Sequence, residues 1–297
     1  MTDGLQLRGN PGRRRRLSDV ETERLMLEAG RAVVAQEGLS LSLEHVSMED
    51  LIQTAGVSRT SSYRRWPTKD AFAADLLLYI AEHTELSSDF APYAEAVRTI
   101  PAGVLTSLDT EQGRRDAIVE VFRVLTDADY AAALGSQTWR SYQVLRAAHG
   151  ALPDGELRRR IASALRGTER RFVHYRAAMF AAAAELMGYR LRNPEAFDWR
   201  TLAEITSATF TGMAVRGYSD PEAVRTPRSC APFGSSRTAP WTLPALAAAE
   251  VFFAATEPDP EAVWDAARVA RAAAQLGDID ATLADLWAGG QSASTLG

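Results

Sequence analysis

The apolar and polar positions of this chain follow helical spacing almost from end to end. After Ser18, apolar residues at Leu25, Ala29, Ala32 and Val33 share one helical stripe, and Gly38 supplies a stop. The stretch "SDVE" opens that helix, with Ser18 and Glu21 at capping-box spacing. A connector, "LSLSLEHV", alternates in the manner of a short extended segment. Ser47, with Asp50 three residues on, opens a second, short helix that Gly56 ends. Ser58 caps a third helix through Trp66, and Pro67 stops it, because the residue before a proline avoids the α region. Thr68 then caps a fourth, carrying Phe72, Leu76 and Ile80 toward Leu86.

Longer helices are predicted beyond residue 87: 92–105 interrupted at Pro101, 112–125, 130–148, 156–190, 199–215, 244–255 and 260–275, with a short one near Leu283. Leu157, Ile161, Leu165 and Phe172 trace the core stripe of the longest. Residues 218–244, rich in Pro and Ser, read as one long loop, and a structureless loop of that length is functional or disordered. Strand signals are few. The pattern predicts an all-α chain in three parts: a basic arm over 1–17, a three-helix helix-turn-helix domain over 18–86, and a larger helical bundle over 87–297.

Composition agrees with helix, since Ala and Arg are abundant and β-branched residues sparse. Net charge is −5, so overall charge gives no sign of nucleic-acid binding, and any such site has to be a local patch. The run Arg13, Arg14, Arg15 and Arg16 is one candidate, for phosphates or the minor groove. One cysteine, Cys230, excludes an intramolecular disulfide framework and a Cys-based zinc site. No apolar run follows the N-terminal arginines, and stretches such as "AAMFAAAAELMGY" are too short to span a bilayer, so a cytoplasmic location and no membrane partner are expected.

The candidate chemistry concentrates in "AGVSRTSSYRRWPTKDAF", residues 55–72. A tight turn at Gly56 joins two short helices, and Val57 packs inside to fix their angle. Where the second helix of such a pair enters the DNA major groove, its first turn reaches base edges. Here that turn holds Arg59, Thr60 and Ser61 after the cap Ser58. Arginine can pair bidentately with guanine, and Ser and Thr can donate or accept. Tyr63, Arg64 and Arg65 follow one turn later, suited to phosphates. Lys69 starts the next helix, and Ser47, capping the preceding one, is counted with the DNA-facing residues.

These residues resemble the DNA-binding domain of the TetR family, the tetracycline-repressor-like regulators. The resemblance rests on Ala55, Gly56, Val57, Ser58, Tyr63, Trp66, Pro67, Lys69 and Asp70, with "MLEAGRAVVAQEG" upstream, and covers roughly residues 18–80. It implies a homodimeric repressor of a near-palindromic operator, released when a small molecule enters the C-terminal domain. It also implies dimerisation through two late helices, here 199–215 and 244–255 with Phe210, Phe252 and Phe253, and coupling through the Phe72–Ile80 helix. The chain departs from the family pattern in a connector between Gly38 and Ser47 several residues longer than usual, and at Thr60 where Gly is frequent, Ser62 where an apolar residue is usual, and Ile52 where Ala is common. A larger Ile52 would offset a smaller Ser62.

Trp139, Tyr142, His174 and Tyr175 are the candidate ligand-pocket residues, although aromatics at helical spacing are also ordinary core. The histidines lack metal-ligand spacing, and neither metal nor cofactor is expected. No Gly-x-Ser-x-Gly elbow, His-Glu-x-x-His, Walker loop or Gly-x-Gly-x-x-Gly is present, so the chain does not read as an enzyme. The alternative is an adaptor that keeps the helix-turn-helix only as a structural module.

Overall fold

The caps anticipated for the first four helices are formed in a computed structural model of the chain, which describes residues 17–39, 43, 45–84, 86, 91–153 and 155–285. The run Arg13–Arg16 and most of the alternating connector lie outside the described residues. The chain is mostly helical and divides between Ile80 and Ala81 into two compact units.

In the first unit, α1 (Asp19–Glu37) opens on a complete capping box: Glu21 N–H donates to Ser18 Oγ at 3.1 Å, and Ser18 N–H to Glu21 Oε2 at 2.8 Å. Its buried residues are Thr22, Met26, Leu27, Gly30 and Val34, with Ala32 exposed, so the true stripe lies one position from the expected one. Gly30 explains the shift. A Cβ there would stand 3.0–3.1 Å from Leu76 and Phe72, so glycine lets those side chains approach the helix closely, and an alanine would require them to give by a few tenths of an ångström. Ser47 caps α2 (Met48–Ala55), which ends at Gly56 in the left-handed region, φ 63° and ψ 26°. Val57 N–H then donates to Ile52 C=O at 3.2 Å, closing the turn in the manner of a Schellman cap. α3 (Arg59–Arg65) follows at once, and Thr68 caps α4 (Lys69–Glu82).

The second unit starts with α5 (Ala91–Arg98) and α6 (Ala102–Thr106), parted at Pro101 as anticipated. Next, α7 (Glu111–Gly135) runs ten residues past the expected end at Leu125. Nothing in "TDAD" breaks a helix. The break comes at Ser136, which caps α8 (Gln137–His149) by accepting from Trp139 N–H at 3.1 Å. α9 (Glu156–Met187) stops at Gly188 in the left-handed region. Strand β1 (Tyr189–Leu191) follows, then α10 (Trp199–Ser219) and α11 (Pro221–Arg225). After a hairpin of β2 (Arg228–Cys230) and β3 (Ala239–Trp241) come α12 (Leu243–Ala255), β4 (Thr256–Pro258) and α13 (Ala266–Gly277). β4 pairs antiparallel with β1. That pairing, with the cap at Asp265, delays the last long helix from the expected residue 260 to Ala266. α12 packs on both α7 and α10, and Phe252, fully buried, sits at the centre of the core with Phe122 at 4.2 Å between ring centroids.

Residues 218–244 are therefore not one structureless loop. Asp116 pins the hairpin tip by accepting from Ser236 N–H at 2.7 Å, Ser236 Oγ at 2.5 Å, Ser235 Oγ at 2.9 Å and Gln112 Nε2 at 3.0 Å. Phe233, at φ 59°, holds a left-handed backbone while its ring packs on Phe253 and Trp241. Burial alone would raise the Asp116 pKa, but the bonds from Ser236, Ser235 and Gln112 outweigh it and hold the carboxyl below its usual range. Its contribution is thus complete above the ordinary carboxylate range and is lost as pH falls through the lowered value. Hydrogen bonds to a charged group contribute about 1.5–3 kcal/mol each, so Asp116→Ala is expected to speed tryptic cleavage after Arg228 or Arg237 about tenfold or more. Helix content by circular dichroism should not change. Cleavage as slow as in the parent would remove Asp116 as the pin.

Candidate nucleic-acid interface and apolar cavity

Short helices need tertiary support, and α3 obtains it from one buried aromatic and two carboxylates. Trp66, at its C-terminus, is fully buried, stands edge-on to Phe72 at 5.1 Å and donates Nε1–H to Asp75 Oδ2 at 2.9 Å. Arg65 lies 5.1 Å over the Trp66 ring and bonds Glu23 of α1 at 2.9 and 3.1 Å and Asp75 of α4 at 2.7 Å. The hydrogen bond to Glu23, outweighing partial burial, holds its guanidinium proton more tightly than usual. Arg64 pairs with Asp19. Ser62 is fully buried and returns its hydroxyl to Ser58 C=O at 3.0 Å, which satisfies the polar atom where an apolar residue was the expectation.

The outward side of α3 carries the candidate reading residues. Arg59 and Thr60 are exposed, Ser61 is half-buried, and Ser58 caps the helix by accepting from Ser61 N–H at 3.5 Å. Ser47 is half-buried and accepts from Asp50 N–H at 3.4 Å, so its visible work is to cap α2. Lys69 is exposed at the start of α4. Glu49 of α2 gathers two of these residues: Arg59 pairs with it at 2.9 Å and Tyr63 donates its hydroxyl at 2.8 Å, while Arg59 also lies 5.6 Å over the Tyr63 ring. The bond to Glu49 raises the Tyr63 pKa above the ordinary phenol range.

The sequence pattern assigns Tyr63, Arg64 and Arg65 to phosphates. Within the chain each faces a carboxylate. Arg65 is a strut between α1, α3 and α4 before it is anything else, and the acidic side of α1, with Asp19 and Glu23, is the reason. Glu49, Glu23 and Asp75 were missed. Glu49 lies ten residues before Arg59 and was visible only as a favourable acid in the first turn of α2.

The four aromatic candidates of the second unit separate. Tyr175 lines a cavity of about 140 Å³ whose wall also includes Phe122, Phe172, Phe180, Phe210 and Met179. Trp139, Tyr142 and His174 are not in that wall. Trp139 packs edge-on to Phe210 at 6.4 Å, and Tyr142 is fully buried with its hydroxyl on Leu165 C=O at 3.3 Å. His174 buries Nε2 with no hydrogen-bond partner among the described residues. The polar group of the cavity came from elsewhere: Arg176 donates to Asp129 Oδ2 at 2.7 Å, and Tyr93 donates to Asp129 Oδ1 at 2.8 Å. Burial, reinforced by Asp129, drives the Tyr93 and Tyr175 pKa values far above the ordinary phenol range.

Phe210 and Phe252 are buried inside this unit, so neither side chain lies on a face that another chain could meet, while Phe253 is half-buried against Phe233 and Tyr189. An apolar outward stripe does exist on α10, where Ile205, Ala208, Gly212 and Val215 are exposed and a Cβ at Gly212 would meet nothing within 4 Å. Among the described residues no cluster of His, Cys, Asp or Glu could hold a metal ion, and no helix is long and apolar enough to cross a membrane. The chain matches no protein-family model, and a search of curated proteins gives no significant match.

Proposed function

We propose that the chain is a sequence-specific DNA-binding transcriptional regulator, a homodimeric repressor of the TetR type that a small molecule releases from its operator. The observation that carries the reading is the first turn of α3. There, Arg59 and Thr60 stand exposed on a helix whose approach is set by Gly56 and whose rear is braced by Trp66, Arg65 and Ser62. In this reading α2 and α3 form a helix-turn-helix and the helices after Ala81 form the sensor and dimer domain. The outward stripe of α10, with Ile205, Ala208, Gly212 and Val215, is the dimer face.

Glu49 does not weigh against DNA. Its pair with Arg59 is exposed on both sides, at 70% and 48%, and exposed pairs contribute about 0–1 kcal/mol, less than one bidentate arginine–guanine contact at about 1–3 kcal/mol. Giving up the pair to reach a base is therefore favourable, and Glu49 holds Arg59 and Tyr63 together until then.

The test is fluorescence anisotropy of the purified protein with duplexes recovered by selection from a genomic library, compared with scrambled duplexes across a salt series. Selective binding is expected to exceed scrambled binding by about a thousandfold or more, with a steep salt slope. Arg59→Ala should lose about tenfold or more of that selectivity, with its thermal midpoint unchanged. Equal binding to selected and scrambled duplexes would leave α2 and α3 as a structural module of an adaptor.

A further inference from the structure

We propose that the cavity in the second unit takes a neutral, monocyclic aromatic compound bearing one hydrogen-bond acceptor. The proposal rests on the reading of this unit as a sensor. Three observations converge on it: the size of the cavity, its walls, and the charge balance of its polar group.

At about 140 Å³ the space matches one ring, since an apolar cavity of about 150 Å³ holds a single benzene. The walls are aromatic faces and edges contributed by α7, α9 and α10, with Phe122 and Phe180 stacked at 5.9 Å and an interplanar angle of 16°. Such walls favour a flat ring placed edge-on or offset over a branched aliphatic of equal volume.

Charge sets the remaining condition. Arg176 and Asp129 are mostly buried, at 13% and 24% exposure, and neutralise each other at 2.7 Å. Both Asp129 oxygens already accept, one from Arg176 and one from Tyr93. A carboxylate ligand would bring a second negative charge beside Asp129 where water is scarce, and a cation would meet Arg176. The Arg176 guanidinium spends Nη2 on Asp129 and lies 4.7 Å over Phe172 and 5.4 Å over Phe210. Its Nε and Nη1 have no acceptor among the described residues, so a carbonyl or ether oxygen on the ring would complete the site.

The experiment is calorimetric titration of the full chain, without DNA, using acetophenone, toluene and benzoate at neutral pH, with thermal midpoints measured in parallel. Acetophenone should bind about tenfold or more tighter than toluene, the difference expected for a hydrogen bond to a charged donor, and by a similar factor tighter than benzoate. It should also raise the midpoint with concentration, as mass action requires. Ala183 lines the cavity, and Ala183→Leu should fill it, abolishing acetophenone binding while the fold persists; Ala183→Val is the milder variant should leucine overpack. Benzoate binding as tight as acetophenone, no binding of any neutral aromatic, or full binding by a folded Ala183→Leu protein would each overturn the proposal. A chain that binds acetophenone but no DNA removes the regulator reading alone. One that binds DNA but no neutral aromatic removes this inference alone.

Discussion

Trp66→Ala is expected to remove about 3–5 kcal/mol from the stability of the first unit, the range for truncating a fully buried large aromatic. The indole meets Phe72 edge-on, carries the Arg65 guanidinium on its face and donates its Nε1–H to Asp75. Removing it opens a cavity and loosens the residue through which α3 is held to α4. A helix of seven residues cannot stand without such support, because nucleation alone outweighs its few backbone bonds. Two measurements separate this from a merely local defect. Urea unfolding should show the full loss, and hydrogen exchange at the amides of residues 62–66 should rise by a factor set by that loss. If α3 reads DNA as proposed, selective binding should vanish even though Trp66 is fully buried. A loss below about 1 kcal/mol would mean that Arg65, with Glu23 and Asp75, holds α3 alone.

What was legible in the sequence follows the range of the interactions. Ser18, Ser47, Ser58, Thr68 and Gly56 act within four or five residues of themselves, and each caps or turns the chain where local chemistry put it. The stripe of α1 was misplaced because Gly30 was passed over as an empty position, when it is the contact point that admits Leu76 and Phe72. The brace at Arg65 joins residues 42 and 10 positions apart, and the Asp129–Arg176 pair spans 47, so neither leaves a periodic trace. The hairpin inside residues 218–244 was hidden for the same reason: its anchor, Asp116, lies 120 residues before Ser236. Pro and Ser in that stretch mark turns that the protein ties down.

Phe252→Ala tests where α12 belongs. The family resemblance implied that α12 meets a second chain, yet its Phe252 side is enclosed by its own domain, and only the side with Glu250 and Ala254 is exposed. Phe252 is fully buried within 4.2–6.4 Å of Phe122, Phe253, Phe180 and Tyr189. Its truncation is therefore expected to cost about 3–5 kcal/mol in the second unit, whatever the protein concentration. The stripe on α10 should behave in the opposite way. Ile205 and Val215 are 41% and 56% exposed, so Ile205→Asp with Val215→Lys should change monomer stability by less than about 0.5 kcal/mol per site while shifting sedimentation toward the monomer. Denaturation midpoints taken at two protein concentrations about fiftyfold apart discriminate the two cases, because only an interface between chains makes the midpoint depend on concentration. A concentration-dependent loss in Phe252→Ala would return α12 to the interface. A strictly concentration-independent midpoint in the parent would remove the proposed α10 dimer and leave α12 where its packing puts it, against α7 and α10 of its own unit.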